Sequence, residues 1–340
     1  MALASAFLIA AVLAYFLTPA AVRLAWATGM LDQPAARKLH ASATALLGGL
    51  AVFVAALGGW GAARLLAPGT VEREALTLLS GALIAFLLGL WDDRFGMQPA
   101  VKLLGQTAAI STLLSSGALP NFGLPPEAAG PVLLVLLVGL MNAVNFLDNM
   151  NGMLAGMAAI SFLAFGIHSL TRGALGIAAA QLALSGACVG FLPWNFPRAR
   201  IFLGDAGSLF LGYSLGASAV LACHGAASGW GRLGAALMLA YPAFDLVFVV
   251  INRMRDGRKI YLGGRDHSNH RLSSLLRSPQ RTVYLVWLAA LVLSLSGLAV
   301  LILDRPVTSV LFTGTWAVAF LWAGARLSTV APPPAQPAPA

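Results

Sequence analysis

The chain has 340 residues, of which 59% are hydrophobic and only 10% are charged. Soluble globular proteins carry about 25% charged residues, so this composition excludes that class and predicts a protein dissolved mainly in a lipid bilayer. The net charge of +9 does not indicate nucleic-acid binding, because no stretch interleaves aromatic with basic residues, and the two cysteines form no CxxC pair that would suggest a disulfide framework or a zinc site.

Apolar runs long enough to cross a bilayer recur along the whole chain. The first run has no lysine or arginine before it and outlasts the apolar region of a signal peptide, so we expect it to be retained as a membrane span. The sequence predicts an all-α, polytopic integral membrane protein with about eleven transmembrane helices, at residues 3–25, 44–64, 75–91, 100–117, 131–148, 153–170, 174–193, 206–223, 233–251, 282–303 and 307–325. We expect residues 1–330 to form a single transmembrane domain and residues 331–340 to form a disordered Pro/Ala-rich tail.

The basic residues are distributed unevenly between the two sides of these spans. Sixteen lysines and arginines fall on one side, and five fall on the other, namely Arg64, Arg73, Arg172, Arg232 and Arg305. Because basic residues collect in cytoplasmic loops, we expect the side with sixteen to be cytoplasmic. An odd number of spans then puts the N-terminus outside and the C-terminus in the cytoplasm.

Five polar clusters that are far apart in the sequence fall on that same predicted cytoplasmic side. They are RKLH at 37–40, WDDR at 91–94, NAVNFLDNMNG at 142–152, GDAGS at 204–208 and DHSNHR at 266–271. Independent surface decoration would rarely put all five on one face. We therefore expect a single active site in cytoplasmic loops and helix ends.

Two of these clusters place carboxylates at the ends of apolar helices. Asp92 and Asp93 follow a long apolar run, where an unpaired carboxylate is costly and marks a functional site; solvated boundary charges are the alternative. Asp205 stands between small residues before another apolar helix, whose first N–H groups we expect to be open to a phosphate. The alternative there is an ordinary helix start, with Ser208 as the N-cap.

Amide side chains extend the pattern in the segment from 142 to 152. Asn142, Asn145 and Asn149 share one helical face, with Asp148 beside them and Asn151 close by. Hydrogen bonding between neighbouring helices is the structural alternative, but it rarely needs so many polar groups within one short stretch. The segment is therefore a candidate binding surface.

The longest predicted cytoplasmic loop, at 252–281, is rich in arginine and contains two histidines. His267 and His270, flanked by Asp266 and Arg271, suggest a clamp for a diphosphate. A basic loop beside a bilayer can also bind anionic lipid head groups, and that alternative suffices for Arg277 and Arg281.

The clusters together offer carboxylate and amide oxygens with arginine, lysine and histidine, and no thiolate. Hard oxygen ligands suit Mg2+, with Mn2+ as the alternative, because Mg2+ keeps water and shares its coordination shell with substrate phosphates. Phosphoryl transfer needs mainly positioning and charge neutralisation, which such a site supplies. At a membrane surface this chemistry indicates one soluble phosphate donor and one lipid phosphate.

The motifs, in their order along the chain, resemble those of the polyprenyl-phosphate N-acetylhexosamine-1-phosphate transferase family, from about Asp32 to Leu272. That family includes the bacterial enzyme that starts O-antigen and enterobacterial common antigen, and the peptidoglycan translocase that acts on UDP-MurNAc-pentapeptide. The matching positions are Asp32, Pro34, Arg37, Lys38, His40, Gly48, Gly49, Asp92, Asp93, Asn142, Asn145, Asp148, the run 195–208, Pro242, Asp245 and HSNHRL at 267–272.

The chain departs from the family pattern at three places. Residues 43–47 lack the usual Pro-Thr-Pro step, Asn151 stands where the second aspartate of Asp-Gly-x-Asp-Gly is usual, and Asn269 replaces the middle histidine of His-x-His-His-Arg-Leu. The three-histidine run of the translocase is absent, which favours the initiating transferases.

The resemblance implies transfer of a sugar 1-phosphate, with N-acetylglucosamine (GlcNAc) favoured, from a UDP-sugar to undecaprenyl phosphate, with release of UMP, to start a cell-envelope polysaccharide. The translocase reaction is the alternative. The implied roles are catalysis by Asp92, Asp93, Asp205, His267 and His270, substrate binding by Lys38, Asn142, Asn145, Asp148, Asn151, Arg265 and Arg271, and Mg2+ binding by Asp205, Asp93 and Asn145. The implied partners are the UDP-sugar, undecaprenyl phosphate and the lipids of a bacterial inner membrane, without nucleic acid; a homodimer is allowed.

Two readings of another class stay open at this point. A proton-coupled transporter would also hold membrane carboxylates, although it would place them near the middle of the bilayer rather than at one end of the spans. A catalytically impaired homologue would fit the departures at Asn151 and Asn269.

Overall fold

The structure is a computed structural model that describes residues 2–33, 43–67, 73–117, 120, 123–224, 228–259 and 264–331. The helices in these residues are α1 (Ala2–Thr28), α2 (Gly48–Leu66), α3 (Arg73–Phe95), α4 (Pro99–Ser115), α5 (Pro126–Leu147), α6 (Met153–Thr171), α7 (Leu175–Asn195), α8 (Gly204–His224), α9 (Arg232–Met238), α10 (Ala240–Arg255), α11 (Ser268–Leu276), α12 (Pro279–Leu303) and α13 (Pro306–Ser328). A short antiparallel ribbon pairs β1 (Leu31–Asp32) with β2 (Thr44–Ala45). The predicted tail lies outside the described residues from 332 onward.

The predicted all-α, polytopic membrane architecture is confirmed. Nine helices of the described part are long and apolar enough to cross a membrane, and the pair α9–α10, bent by 67°, counts as a tenth if it is one span. The prediction of about eleven spans differs at the segment 100–117. There α4 has 17 residues and is about 26 Å long, slightly shorter than the ~30 Å hydrocarbon core of a bilayer.

α4 nevertheless runs alongside α3 from one end to the other. Lys102, near the start of α4, forms an ion pair with Asp92, near the end of α3. Thr112, near the end of α4, lies 3.1 Å from the Tyr213 hydroxyl, which also donates a hydrogen bond to the carbonyl oxygen of Thr77 near the start of α3. α4 is therefore antiparallel to α3 and covers nearly the same depth, so the described helices pass between the two ends of the bundle eleven times when α4 and the bent pair are each counted once.

α8 is the central helix of the bundle, and α13 is peripheral. Within the most apolar window of each helix, 89% of the residues of α8 are buried against the protein, whereas only 6% of those of α13 are. α8 contacts α2, α3, α5 and α6. Its N-terminal end, which carries Asp205, is thus surrounded by other helix ends.

Two glycines allow this close packing around the start of α8. A Cβ atom at Gly89 of α3 would overlap the backbone of Asp205, and a Cβ atom at Gly49 of α2 would overlap the backbone of Gly207. Any larger residue at either position would push α3 or α2 away from α8. The positions of Asp92 and Asp93, one turn beyond Gly89, follow from this contact.

The ribbon fixes the loop that leads into α8. Ala45 of β2 pairs with Ile201 in that loop, and the N–H groups of Gly48 and Gly49 donate to the carbonyl oxygens of Phe202 and Leu203, both at 2.9 Å. The segment between the two strands contains the predicted substrate-binding residue Lys38, which lies outside the described residues, as do residues 34–42 as a whole.

Candidate active site

A cavity of about 1020 Å³ opens at the end of the bundle where α3, α5, α7 and α10 end and where α8, α11 and α12 begin. Its lining includes nine of the residues that the sequence predicted for the site, namely Asp92, Asp93, Asn145, Asp148, Asn151, Asp205, Arg265, His267 and His270. The structure therefore brings together carboxylates and histidines that are up to 178 positions apart in the sequence. Asn142 and Arg271 are not among the lining residues.

Asp93 caps the first turn of α8. Its Oδ1 atom accepts the N–H of Asp205 at 2.8 Å, and its Oδ2 atom accepts the N–H of Ala206 at 2.9 Å. A carboxylate at the positive end of a helix is favourable because it satisfies N–H groups that have no partner within the helix. The expectation that these N–H groups are open to a substrate phosphate is therefore wrong, since Asp93 already occupies them.

Lys102 joins the two remaining carboxylates on this side of the cavity. Its Nζ atom lies 2.8 Å from Oδ2 of Asp92 and 2.6 Å from Oδ2 of Asp205. All three side chains are largely shielded from solvent, with exposed fractions of 18%, 12% and 33% for Lys102, Asp92 and Asp205. The ammonium group thus offsets the repulsion between two carboxylates that would otherwise face each other in a medium of low dielectric constant.

Sequence reasoning counted Lys102 only among the basic residues of the cytoplasmic side and assigned it no role in the site. The available signal was its position in the first turn of a helix with no other charged residue, where an ionisable residue indicates a nearby partner of opposite charge. The identity of that partner depends on the packing of α4 against α3 and α8, which the sequence does not contain.

Asn145 orients Asp205 from α5. Its Nδ2 atom donates to Oδ1 of Asp205 at 2.8 Å and to the hydroxyl oxygen of Ser208 at 2.7 Å. Asn142, one turn deeper in the membrane, donates instead to Oε1 of Gln106 at 3.2 Å and to the backbone of Val138. Asn142 thus joins α5 to α4 and does not reach the cavity. Hydrogen bonding between neighbouring helices, which the sequence left open as the alternative for this segment, is what Asn142 does.

Asp148 follows the end of α5 and lies on the wall of the cavity. Burial raises the pKa of Asp148 from 3.8 to about 7, and the negative charge of Asp205 acts in the same direction. This carboxyl group therefore changes charge near neutral pH, which no feature of the sequence predicted.

Asn151, Gly152 and Asn195 connect the loop after α5 to the loop after α7. Asn151 donates to the carbonyl oxygen of Pro197 at 3.1 Å, and the side-chain oxygen of Asn195 accepts the N–H of Gly152 at 2.7 Å. Asn195 also donates to the carbonyl oxygen of Ile201 at 2.8 Å. Asn195 lines the cavity but had no assigned role; its position in the matched run 195–208 was the available signal.

Another part of the cavity lining contains the histidines, and side chains of α10 hold it in place. Arg253 of α10 binds Asp266 through two hydrogen bonds of 2.8 and 2.7 Å, and Arg258 adds a contact of 3.1 Å. Burial alone would raise the pKa of Asp266, but these hydrogen bonds and positive charges lower it to about 2. Asp266 is thus ionised at neutral pH and serves as an anchor for the segment that carries His267.

His270 lines the cavity as a neutral side chain. Burial lowers its pKa to about 4, and the nearby His267 and Arg265 oppose a further positive charge. His270 therefore carries no positive charge at neutral pH. It can still exchange hydrogen bonds with a phosphate.

Arg271, predicted to bind the diphosphate, points to the end of α13. Its Nη1 atom donates to the carbonyl oxygens of Ser328 and Val330 at 3.0 and 2.9 Å, and its guanidinium carbon lies 5.4 Å from the centre of the Phe248 ring. These contacts satisfy carbonyl groups at a helix C-terminus. The structure places Arg271 outside the cavity, where it fastens α13 to α11.

Comparisons with known proteins show which family this chain is similar to. The family model described as glycosyl transferase family 4 matches residues 75–223, which contain Asp92, Asp93, Asn145, Asp148 and Asp205.

Relatives match over much longer stretches. A protein of Bacillus subtilis (strain 168), named probable undecaprenyl-phosphate N-acetylglucosaminyl 1-phosphate transferase, is 30% identical over 86% of this chain and 83% of its own length. The decaprenyl-phosphate N-acetylglucosaminephosphotransferase of Mycobacterium tuberculosis (strain CDC 1551 / Oshkosh) is 33% identical over 83% of this chain and 78% of its own. The phospho-N-acetylmuramoyl-pentapeptide-transferase of Limosilactobacillus fermentum (strain NBRC 3956 / LMG 18251) is 31% identical, over 57% of this chain and 62% of its own.

Proposed function

Because the chain belongs to glycosyl transferase family 4, and within it to the polyprenyl-phosphate sugar-1-phosphate transferases, we propose that it transfers N-acetylhexosamine 1-phosphate, with GlcNAc favoured, from a UDP-sugar to undecaprenyl phosphate. The observation that carries this proposal is that one cavity at one end of the bundle is lined both by carboxylates and by Arg265, His267 and His270.

The proposed reaction is a direct displacement at the β-phosphorus of the UDP-sugar. A non-bridging oxygen of the lipid phosphate forms the new P–O bond, and the bond from the β-phosphorus to the oxygen it shares with the α-phosphate breaks. UMP leaves with that oxygen and its electron pair, and the lipid carries a diphosphate sugar. One phosphoanhydride bond is broken and one is made, so the main obstacle is the repulsion between two phosphate anions.

The donor groups of the cavity fit Mg2+, with Mn2+ as the alternative. Asp92 and Asp205 already share one positive charge, that of Lys102, and their oxygens are the hard ligands that Mg2+ prefers. Among the described residues no three His, Cys, Asp or Glu side chains form a complete metal cage, as is usual for Mg2+, which takes its remaining ligands from water and substrate phosphates. Asp205 is the proposed ligand, and the bound ion would neutralise charge on the diphosphate.

The residues next to Asp205 have proposed supporting roles. Asp93 fixes the start of α8, Asn145 holds one oxygen of Asp205, and Lys102 balances its charge against that of Asp92. Asp92 is the proposed group that orients the lipid phosphate or takes its proton. Asp93 and Asn145, which the family resemblance suggested as metal ligands, are proposed here to position the ligand instead.

The nucleotide and diphosphate would lie between the two sides of the cavity. Arg265 and His267 are proposed to bind the diphosphate, with neutral His270 as a hydrogen-bond partner, and Asp148 and Asn151 are proposed to line the nucleotide end. Arg271 and Asn142 are left out of the proposed binding set because their side chains make structural contacts elsewhere.

The proposed orientation puts the cavity at the cytoplasmic face of the bacterial inner membrane, with the N-terminus outside, the C-terminus in the cytoplasm and residues 1–330 acting as one transmembrane domain. It rests on the excess of basic residues at the cavity end of the bundle. Single cysteines at the two ends of α4, Gln98→Cys and Ser115→Cys, test it, because both positions are exposed. A membrane-impermeant thiol reagent applied to intact cells should label only Ser115→Cys; the reverse pattern, or labelling of both, would refute the topology.

The activity test is a screen of UDP-sugars with detergent-solubilised protein, undecaprenyl phosphate and Mg2+. UMP release and a lipid-linked sugar from UDP-GlcNAc are expected. Turnover of UDP-MurNAc-pentapeptide alone would favour the translocase, whose relative matches only 57% of this chain. No UMP from any donor would refute the transferase.

A further inference from the structure

Asp245 of α10 is a buried carboxylate in direct contact with His267. Its Oδ2 atom lies 2.7 Å from Nδ1 of His267, and its Oδ1 atom accepts the N–H and the hydroxyl of Ser268 at 2.8 and 2.6 Å. Only 1% of Asp245 is exposed to solvent. Both carboxylate oxygens are thus used to hold two consecutive residues at the start of α11.

The same helix holds the preceding residue as well. Arg253, two turns after Asp245, binds Asp266 through two hydrogen bonds. Residues 266 to 268 are therefore fixed to α10 by two side chains, Arg253 at residue 266 and Asp245 at residues 267 and 268. No such arrangement is needed merely to start a helix, because one N-cap hydrogen bond would suffice for that.

The contact determines which nitrogen of His267 faces the cavity. An ionised carboxylate can only accept hydrogen bonds, so Nδ1 carries a hydrogen atom and Nε2 is the nitrogen available to the cavity that His267 lines. In the neutral ring Nε2 is an acceptor; in the protonated ring it is a donor, which suits a phosphate oxygen. The centre of the His270 ring lies 5.7 Å from the centre of this ring, and Arg265 and Asp266 act electrostatically on His270 together with His267 and Asp245.

We propose that Asp245 is a positioning residue for the transfer, which sets the tautomer and orientation of His267 so that Nε2 meets the diphosphate of the UDP-sugar. The inference rests on the proposed function, because it gives His267 a phosphate to bind. Asp245 itself touches neither substrate and acts through His267. This carboxylate–histidine pair has the same logic as pairs that orient histidines in other active sites.

A double-mutant cycle tests whether Asp245 acts through His267. Asp245→Asn keeps the size of the side chain but can donate a hydrogen bond to Nδ1 and so favours the wrong tautomer. We expect Asp245→Asn and His267→Gln each to lower kcat/KM for the UDP-sugar by about 10- to 100-fold, and the double variant to be no worse than His267→Gln. Asp245→Glu, which keeps the carboxylate, should lose less. Losses that multiply in the double variant would overturn the proposal.

Nuclear magnetic resonance of 15N-histidine reports the tautomer without any turnover. The chain has five histidines, and the signal of His267 is assigned by its disappearance in His267→Gln. In the neutral form the wild-type signal should show hydrogen on Nδ1, and Asp245→Asn should shift it toward hydrogen on Nε2. A wild-type ring with hydrogen on Nε2 would contradict the proposed pair.

Asp304→Asn is a matched control. Asp304 is also a carboxylate that holds backbone N–H groups, those of Ser228 and Gly231, but it lies at the opposite end of the bundle. This variant should leave the His267 signal and the kinetics unchanged. The two proposals fail separately: if wild-type protein releases no UMP, the proposed function fails whatever the tautomer, whereas active wild-type protein with independent losses refutes only the role of Asp245.

Discussion

The two sides of the cavity hold their charges in different ways. The carboxylate wall consists of Asp92, Asp93 and Asp205, which line the cavity, and is supported by Lys102, which pairs with Asp92 and Asp205. These residues lie at the ends of α3, α4 and α8, which pack against one another. The histidine wall, formed by Arg265, His267 and His270, stands on the segment that leads into α11 and is held by side chains of α10.

The two walls therefore differ in what fixes them. Backbone N–H groups and close glycine contacts fix the carboxylates, so that wall can move only if the helix packing changes. The histidine wall depends on α10, whose opposite face exposes Val247, Ile251 and Met254 at 54%, 42% and 68%. An apolar face of this kind in a membrane protein contacts lipid. The carboxylate wall is thus fixed mainly by contacts between packed helices, whereas the histidine wall is fixed mainly by side-chain contacts to α10, with α11 also packed against α12 and α13.

The largest expected effect is on the carboxylate wall. Asp205→Ala should lower UMP release by about 1000-fold or more, because it removes the proposed ligand for the metal that offsets the charge of two phosphates. Asp304→Ala is a suitable control, since it removes a carboxylate from the other end of the bundle. Full turnover by Asp205→Ala would show that Asp205 is not the metal ligand.

The next effect comes from the cation of the same wall. Lys102→Met should lower turnover by about 100-fold and also lower stability by up to ~3 kcal/mol, because it leaves Asp92 and Asp205 facing each other without a counter-charge. Lys102→Arg should retain more of both properties. Added Mg2+ should raise the melting temperature of Lys102→Met more than that of wild-type protein. An equal rise in both proteins would show that Mg2+ and the Lys102 ammonium group do not neutralise the same carboxylates.

Asp148, which also lines the cavity, allows a test by pH. Its pKa of about 7 in the folded protein exceeds the ordinary value of 3.8. The folded protein thus binds this proton more tightly than the unfolded chain does, so the contribution of Asp148 to stability is present below pH 4 and is lost as pH rises through 7. Without Mg2+, the melting temperature of Asp148→Asn should fall less than that of wild-type protein between pH 5 and about 8. Parallel curves would contradict the raised pKa.

Two arginines sharpen the description of the histidine wall. Arg265→Ala should raise KM for the UDP-sugar about tenfold with a small change in melting temperature, because Arg265 lines the cavity. Arg271→Ala should lower the melting temperature and change KM little, since Arg271 holds the end of α13. Kinetics and thermal unfolding of the two variants, measured side by side, decide between these roles, and a raised KM in Arg271→Ala would return it to the substrate site.

The smallest expected effect concerns Asn151, where the family usually has aspartate. Asn151→Asp replaces a donor to the Pro197 carbonyl with a charged acceptor, so a hydrogen bond worth about 1 kcal/mol is lost. We expect a two- to fivefold rise in KM for the UDP-sugar. Higher activity in Asn151→Asp would mean that the usual carboxylate binds substrate directly at this position.

Much of the carboxylate wall was predictable from the sequence, because an aspartate at the end of an apolar helix is costly unless it has a partner. This physical argument singles out Asp92 and Asp93, whereas Asp205 is singled out by its glycine neighbours at a helix start and by the family resemblance. Neither argument could identify Lys102 as their partner, since the pairing depends on how α4 packs against α3 and α8. The number of membrane spans was also difficult to predict at α4, because this helix is shorter than the other spans.

The histidine wall was less predictable, for a reason that Arg271 illustrates. Arg271 lies one residue after His270, and this proximity in the sequence suggested that both bind the diphosphate. A long side chain on a short helix can reach in either direction, and here it reaches the end of α13, more than 50 residues away in the sequence. Likewise, the charge state of His270 depends on burial that no local pattern reveals.

The most direct test of direct transfer within one cavity is isotope exchange. Detergent-solubilised protein would be incubated with UDP-GlcNAc, Mg2+ and radiolabelled UMP, with or without undecaprenyl phosphate. If the lipid phosphate is the nucleophile, label should enter UDP-GlcNAc only when the lipid is present. Exchange at the same rate without the lipid would show that a protein group attacks the β-phosphorus first, and would contradict the account.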